Sequence, residues 1–488
     1  MGNKLGIYLD EKLRQQIEIK KGEYVKVSIS KNGSTTEFIS KFNYNIILRR
    51  FVINQLKLIP NNLIRISIKR IVNAKRPEDV FKNNKIDLLS LIPEKTFLGF
   101  KIFVDKFTKN NGKWLRIWYA YERGSGRQIE LIRYVDIDSF GRLLGQLQAE
   151  GSKLSGRRKW CVEFSNKLLS EHEDFISSIM KLGISSKNIE FICNFNPNKF
   201  DSIETEAEVQ ELCKKYEISG IKIKPRNNPR IWKSYKTVIR NTILSETLLA
   251  SIDKIRKLII ENKLDINFCL LTCNFVSKLL TGDGTLDINK REYDYPRVRI
   301  NIVDQSINCL NDYSKILKKL GFKAKVKEEE ICVKSSCSLE NLLFLYKIDA
   351  FKNTGNWNKL LIVIGLLLRG RRLKTKLRFI DLFDKKFSTF DLREKYKITL
   401  RGANDWINSM LNSGYIEVFD NSQRPYLYKL TKKAVEEGKM IFRINNELQN
   451  IANEFKIQNL WKLLNKFKVK SNLSAEERAY SVSLYENN

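Results

Sequence analysis

The sequence predicts an α+β protein with a duplicated helix-and-strand unit at its centre, a mostly β domain before it and a small helical domain with a β hairpin after it. Three observations predict this. Residues 143–151 (LLGQLQAEG) and 276–284 (VSKLLTGDG) share helical apolar spacing, small residues, one carboxylate and a closing glycine. Both are followed by the same order: a strand-like run, a helix, Lys-Leu-Gly and another strand-like run. Outside the pair the patterning changes, to two-residue alternation upstream and to short capped helices downstream.

Residues 1–135 alternate strongly, as in 24–29 (YVKVSI), 63–69 (LIRISIK) and 114–121 (WLRIWYAY). A turn at 124–127 is expected to pair the last of these with 129–133. Arg65, Ser67 and Lys69 fall on one face, which suggests phosphate contacts by this domain. The duplicated unit follows, with repeat 1 at 136–260 and repeat 2 at 261–369. Strand-like runs are expected at 159–165 and 188–194 in the first copy, and at 297–303 and 323–327 in the second. The helices between them end at Lys181-Leu182-Gly183 and Lys319-Leu320-Gly321. A helical linker at 244–262 is expected to carry its lysines and arginine on the outer face. Residues 360–368 (LLIVIGLLL) read as a buried helix between domains, too short to span a bilayer. Short helices at 377–383, 389–396 and 399–412 and a hairpin at 415–418 and 426–430 fill 370–445. A helical tail occupies 446–488.

Alternation sorts charge onto one side of the strands. Arg297, Arg299 and Asn301 share one face, and Lys323, Lys325 and Lys327 share another. Lys222 and Lys224 repeat the pattern in the first half. A sheet apolar beneath and cationic above suits a polyanion, and Arg and Asn can pair bidentately with guanine and adenine edges. The whole chain of 488 residues carries 88 Lys and Arg against 55 Asp and Glu, a formal charge of +33. Charge of that size repels itself unless phosphate neutralises it, so the expected partner is a nucleic acid and not a membrane, for which the chain lacks the usual insertion signals.

The single histidine excludes histidine-rich zinc centres and histidine-based nucleases. His172 lies at an expected helix start, where a solvated surface role is expected. The eight cysteines form no Cys-x-x-Cys pair and read as small buried thiols of a reducing compartment. No phosphate-cradling Gly-Lys-Ser loop occurs. The N-terminus lacks a signal-peptide core, and Gly6 stands where myristoylation would need Ser or Thr.

The paired nine-residue segments resemble the LAGLIDADG signature, and the chain is similar to single-chain LAGLIDADG homing endonucleases carrying both motif helices. The resemblance implies a pseudo-two-fold pair of αββαββα repeats forming a DNA-binding saddle in a monomer. It implies that Glu150 and Asp283 end adjacent helices, hold magnesium or manganese ions, and cut both strands of a specific duplex. It further implies a lysine from a late strand of each repeat, by position Lys334 in the second and Lys224 in the first. Gly145, Ala149 and Gly282 match the family's small positions. Lys278 does not, and predicts looser helix packing there. The segment 370–445 resembles a winged helix-turn-helix, which implies that Arg401, Asn404 and Asn408 face a major groove. LAGLIDADG scaffolds also occur in transcription regulators and in RNA-splicing maturases, so these remain alternatives, the last with RNA as partner. The chain lacks the His-Asn junction of an intein and reads as a free-standing protein of the cytoplasm, associated with the nucleoid, or of an organelle matrix.

Overall fold

A computed structural model describes residues 6–9, 11–16, 19–42, 45–48, 50–60, 62–71, 73–119, 128–151, 161–226, 233–290, 296–369, 386–422 and 424–467. Two compact units contain them, one through Asp283 and one from Gly284.

In the first unit, Tyr24–Lys31 pairs antiparallel with Ser34–Lys41 and with Arg65–Arg70. Alternation buries Val25, Val27 and Ile29 against Phe38, Phe42 and Ile46. A second sheet pairs Gly112–Tyr119 with Ile102–Lys109 and with Gln128–Ile132. The turn expected at 124–127 lies outside the described residues, although the strands it would join do pair. A polar cluster ties the two sheets: Lys26 meets Glu37 at 3.2 Å and Asp105 at 3.3 Å, and Arg116 pairs with both Glu37 and Glu130. The Lys26 side of the N-terminal sheet is therefore partly engaged within the chain.

The first motif helix, Ile137–Glu150, starts where the Asp136 side chain accepts from the Ser139 amide. The chain next described, Val162–Asn166, begins a sheet with Ser234–Ile239, Ile189–Phe195 and Gly220–Pro225 in that spatial order. Helix Leu169–Lys181 ends at Gly183, whose φ of 94° requires glycine at that stop. His172, expected at the surface, is instead fully buried on this helix: it is ringed by Phe164, Phe191 and Tyr235, and its Nδ1 lies 2.8 Å from Thr237 Oγ1. Three helical turns of apolar neighbours on its own face draw the imidazole inward, and two acceptor or donor partners make its burial tolerable. Helix Thr242–Glu261 then leads to the second motif helix, Ile266–Asp283. Arg256, expected on the outer face of the linker helix, is buried, with Nη1 donating to Gln148 Oε1 at 3.1 Å and Nη2 to Asp253 at 2.6 Å.

The second unit opens with a four-stranded antiparallel sheet in the order Gly284–Lys290, Pro296–Val303, Cys332–Ser336, Lys323–Lys327. Helix Ile307–Lys319 stops at Gly321, φ 83°, as its counterpart does at Gly183. The apolar run at 360–368 is a buried helix, Gly355–Arg369, held by helices Leu339–Lys347, Lys432–Glu454 and Leu460–Lys466 of the same unit. The boundary expected at 445 thus falls inside one continuous helix, because Leu448 and Leu460 close over Gly365. Helices Thr389–Tyr396 and Leu400–Asn412 pack with hairpin strands Ile416–Asp420 and Leu427–Leu430 around Leu392, Ile407, Met410 and Tyr428. The expected helix at 377–383 lies outside the described residues. Cys193, Cys213 and Cys332 are buried as expected, whereas Cys269 is exposed near the start of the second motif helix.

Candidate functional site

The two motif helices lie side by side along their whole contact, and the contact is made of missing side chains. Gly141, Gly145 and Ala149 recur every fourth residue on one stripe of the first helix. A methyl group on Gly141 would lie 3.1 Å from the Leu271 carbonyl oxygen, and one on Gly145 only 2.4 Å from that of Phe275. One on Gly282 would lie 2.5 Å from Ala149 Cβ and 3.5 Å from Glu150 Oε1. The residue before Asp283 therefore touches Glu150, so both acids leave their helices at one end of the crossing. Both are half-buried.

Lys278 does not loosen this contact. Its Cβ packs on Gly145, where a methyl would approach it to 2.9 Å, and its long stem carries the ammonium away from the crossing. Nζ meets both oxygens of buried Glu171 at 2.8 Å and Asp174 at 2.8 Å, and Gln146 Nε2 donates to Glu171 at 3.0 Å. The buried charge is thus paired and hydrogen-bonded, the condition under which an interior lysine persists. Gln148 is held by Arg256, and Thr281 Oγ1 donates to the Ser277 carbonyl at 2.9 Å, so both residues are helix packing.

Neither motif glycine stops its helix by a left-handed turn. Gly151 has φ −72° and ψ 151°, and a methyl there would lie 2.3 Å from the Leu147 carbonyl oxygen. Sterics, not positive φ, demand glycine where the helix passes straight into extended chain. Gly151 bridges to Phe164, which pairs with Thr237; Gly284 pairs with Ile302, which pairs with Val333. Each acid-glycine end thus enters a sheet through the same ladder.

That ladder locates the lysines. Lys334 follows Val333, half-exposed, and its ammonium bonds Glu330, which raises its pKa. Lys224 lies on the outermost strand of the first sheet, not on the strand corresponding to that of Lys334. The corresponding strand, Ser234–Ile239, presents Lys236, which precedes Thr237 in the ladder and donates to Glu163 at 3.2 Å. Lys236 and Lys334 therefore share strand and face but flank the reference row on opposite sides. Val238 stands where Lys334 does, and Cys332 where Lys236 does.

The open face of the second sheet carries the residues the alternation placed there. Arg297, Arg299 and Asn301 line one strand, and Lys323, Lys325 and Lys327 the edge. Lys325 sits directly opposite Lys334, a like-charge cross-strand pair that costs stability until an anion covers it. Asp287, bonded by Asn301, and Glu330 offset part of this charge. Lys222 is exposed and pairs with Glu190. Arg401, Asn404 and Asn408 are all exposed on Leu400–Asn412.

No protein-family model matches the chain, and no curated protein matches it. Among solved structures, two lysine-to-alanine mutants of I-SmaMI match at 9% identity with TM-scores of 0.26 and 0.25, covering 47% of this chain and 91% and 90% of theirs. A third, the I-LtrWI LAGLIDADG homing endonuclease bound to target DNA, matches at 13% identity with a TM-score of 0.22, covering 59% of this chain and 100% of that one. Likeness at this level carries no argument of its own, and the reading rests on the helix ends and the sheets.

The donor set at the helix ends is two carboxylates; among the described residues no three His, Cys, Asp or Glu gather into a metal-binding group. Two hard oxygen donors that leave most positions to water and phosphate suit magnesium or manganese and not zinc. Among the described residues no helix is long and apolar enough to cross a membrane.

Proposed function

We propose that this chain is a metal-dependent endonuclease for double-stranded DNA of the LAGLIDADG type. The observation that carries the reading is the contact of Gly282 with Ala149 and Glu150, which brings two acids from distant motifs to one end of a helix pair. Glu150 and Asp283 would hold magnesium or manganese; when bound, the ion neutralises phosphate charge and makes water a better nucleophile. The protein's own part is rigidity: each acid is carried by a helix whose rotation would swing a side chain into the space beside Gly145 or Gly282, where not even a methyl fits. Lys236 would offset phosphate charge at the first sheet, held in position by Glu163, and Lys334 would do so at the second. This places the first-repeat role on Lys236 and leaves Lys224 as a DNA contact.

Each sheet offers its open face to the duplex, with Arg297, Arg299 and Asn301 reaching base edges and Lys222, Lys323, Lys325 and Lys327 reaching phosphates. The segment 386–430 is read as a winged helix, with Arg401, Asn404 and Asn408 of Leu400–Asn412 directed at a major groove. A transcription regulator that had lost cleavage would tolerate loosened motif helices, and Lys278, with its ammonium on Glu171 and Asp174, gives no sign of such loosening. No feature favours the maturase.

The test is cleavage of a randomised long-duplex library with magnesium. Wild-type protein should give discrete double-strand cuts, and Glu150→Gln with Asp283→Asn should abolish them while sparing binding. Cutting by the double variant would refute the assignment.

A further inference from the structure

The first sheet has a strand that the second does not. In the second sheet the ladder from Gly284 runs through Ile302 and Val333 and ends on the edge strand Lys323–Lys327. In the first, the ladder from Gly151 runs through Phe164 and Thr237 to Ile189–Phe195, the counterpart of that edge. There it continues, because residues 196–226 insert helix Ser202–Lys215 and return as Gly220–Pro225, parallel to Ile189–Phe195. Paired residues of neighbouring strands share a face. Ser165, Lys236, Ile192 and Lys222 therefore form one row across the open side, and Ser234, Asn194 and Lys224 the next. The inserted strand thus adds two exposed lysines to the face already assigned to DNA, at its outer rim. The opposite face of this strand carries half-buried Ile223 and exposed Ile221, so the two lysines share one side by alternation. A cleft of about 720 Å³ opens beside its start, lined among others by Lys187, Lys222 and Arg240 and by Glu190, which pairs with both Lys222 and Arg240.

We infer that the insertion lengthens the DNA-contacting face of the first sheet by one strand, so that contacts made by the first sheet reach further along the duplex than those made by the second. This rests on the DNA-binding reading above. A strand spacing adds about 5 Å of reach, or roughly one to two base pairs. Lysine, a flexible point charge, fits phosphate contact and not base readout, so the added reach strengthens binding without adding specified bases.

The probe is a long random-sequence duplex, with affinity measured across salt concentrations for the full chain. Lys222→Ala/Lys224→Ala should lower the slope of log affinity against log salt by about two, as should the second-sheet control Lys323→Ala/Lys325→Ala. On a duplex selected by the Glu150→Gln/Asp283→Asn protein, hydroxyl-radical footprints of the lysine variant should lose protection at one end only. An unchanged slope for the lysine variant beside a lowered slope for the control would overturn the inference alone. Absence of salt-dependent duplex binding by the wild type would overturn the inference together with the DNA reading.

Discussion

Replacing Lys278 separates two accounts of the motif helices. If the lysine were a misfit, Lys278→Ala would relieve strain and leave stability unchanged or raised. In the structure Lys278 and Glu171 are 7% and 3% exposed, and Asp174 is partly exposed. Alanine would leave the Glu171 carboxylate buried with Gln146 as its remaining donor among these contacts. Breaking a buried pair from one side costs about 3–5 kcal/mol. For a unit of this size that lowers the midpoint of its thermal transition by roughly 6–10 °C. The pair itself is worth far less, because each ion lost its hydration on burial. Lys278→Met with Glu171→Gln keeps both volumes and removes both charges, so it should return to within about 1–2 kcal/mol of wild type. Calorimetry of the full chain reads the transition of the first unit, and the two singles with the double make a thermodynamic cycle. A Lys278→Ala shift under about 1 °C, or a double variant worse than the sum of its singles, would refute the buried-pair account.

Gly145→Val should destabilise the first unit by about 3 kcal/mol or more and abolish cleavage, since even a methyl meets the Phe275 carbonyl oxygen at 2.4 Å; a soluble, cleaving variant would contradict the crossing. Burial pushes the His172 imidazole down from 6.5 to about 4. The unfolded chain therefore takes up a proton that the folded one refuses between those values, so the stabilisation is complete above about pH 6.5 and is lost as pH falls towards 4, by about 1.4 kcal/mol per pH unit. His172→Gln should flatten stability against pH in that window, and an unaltered slope would show that other groups cause it. Deleting residues after Arg369 removes Leu448 and Leu460 from the buried helix Gly355–Arg369, so the truncated protein should aggregate; a well-behaved truncation would contradict that packing.

Periodicity revealed the duplicated order because helix caps, alternation and the Lys-Leu-Gly stops are local signals. Gly183 and Gly321 are legible for that reason: each needs a positive φ at a helix end. Partners across long separations were not legible. Lys278 looked wrong because Glu171, its counter-ion, stands more than a hundred residues earlier on another helix. The same distance hid Arg256, whose acceptor is Gln148; His172 was hidden instead by its flanking acids, a polar surface signature that concealed an aromatic cage. Gly141 was readable in principle, one helical turn before Gly145, but falls outside the nine-residue segment. The insertion at 196–226 breaks the count from the Lys-Leu-Gly stop on which Lys224 depends, and only strand order shows that Ser234–Ile239, which carries Lys236, pairs with Val162–Asn166.

The most direct measurement is anomalous diffraction from crystals of the full chain grown with manganese and a bound duplex. Density for manganese within coordinating distance of Glu150 and Asp283 is the result this account predicts. Manganese bound elsewhere, with neither carboxylate within coordinating distance of it, would contradict the proposed centre.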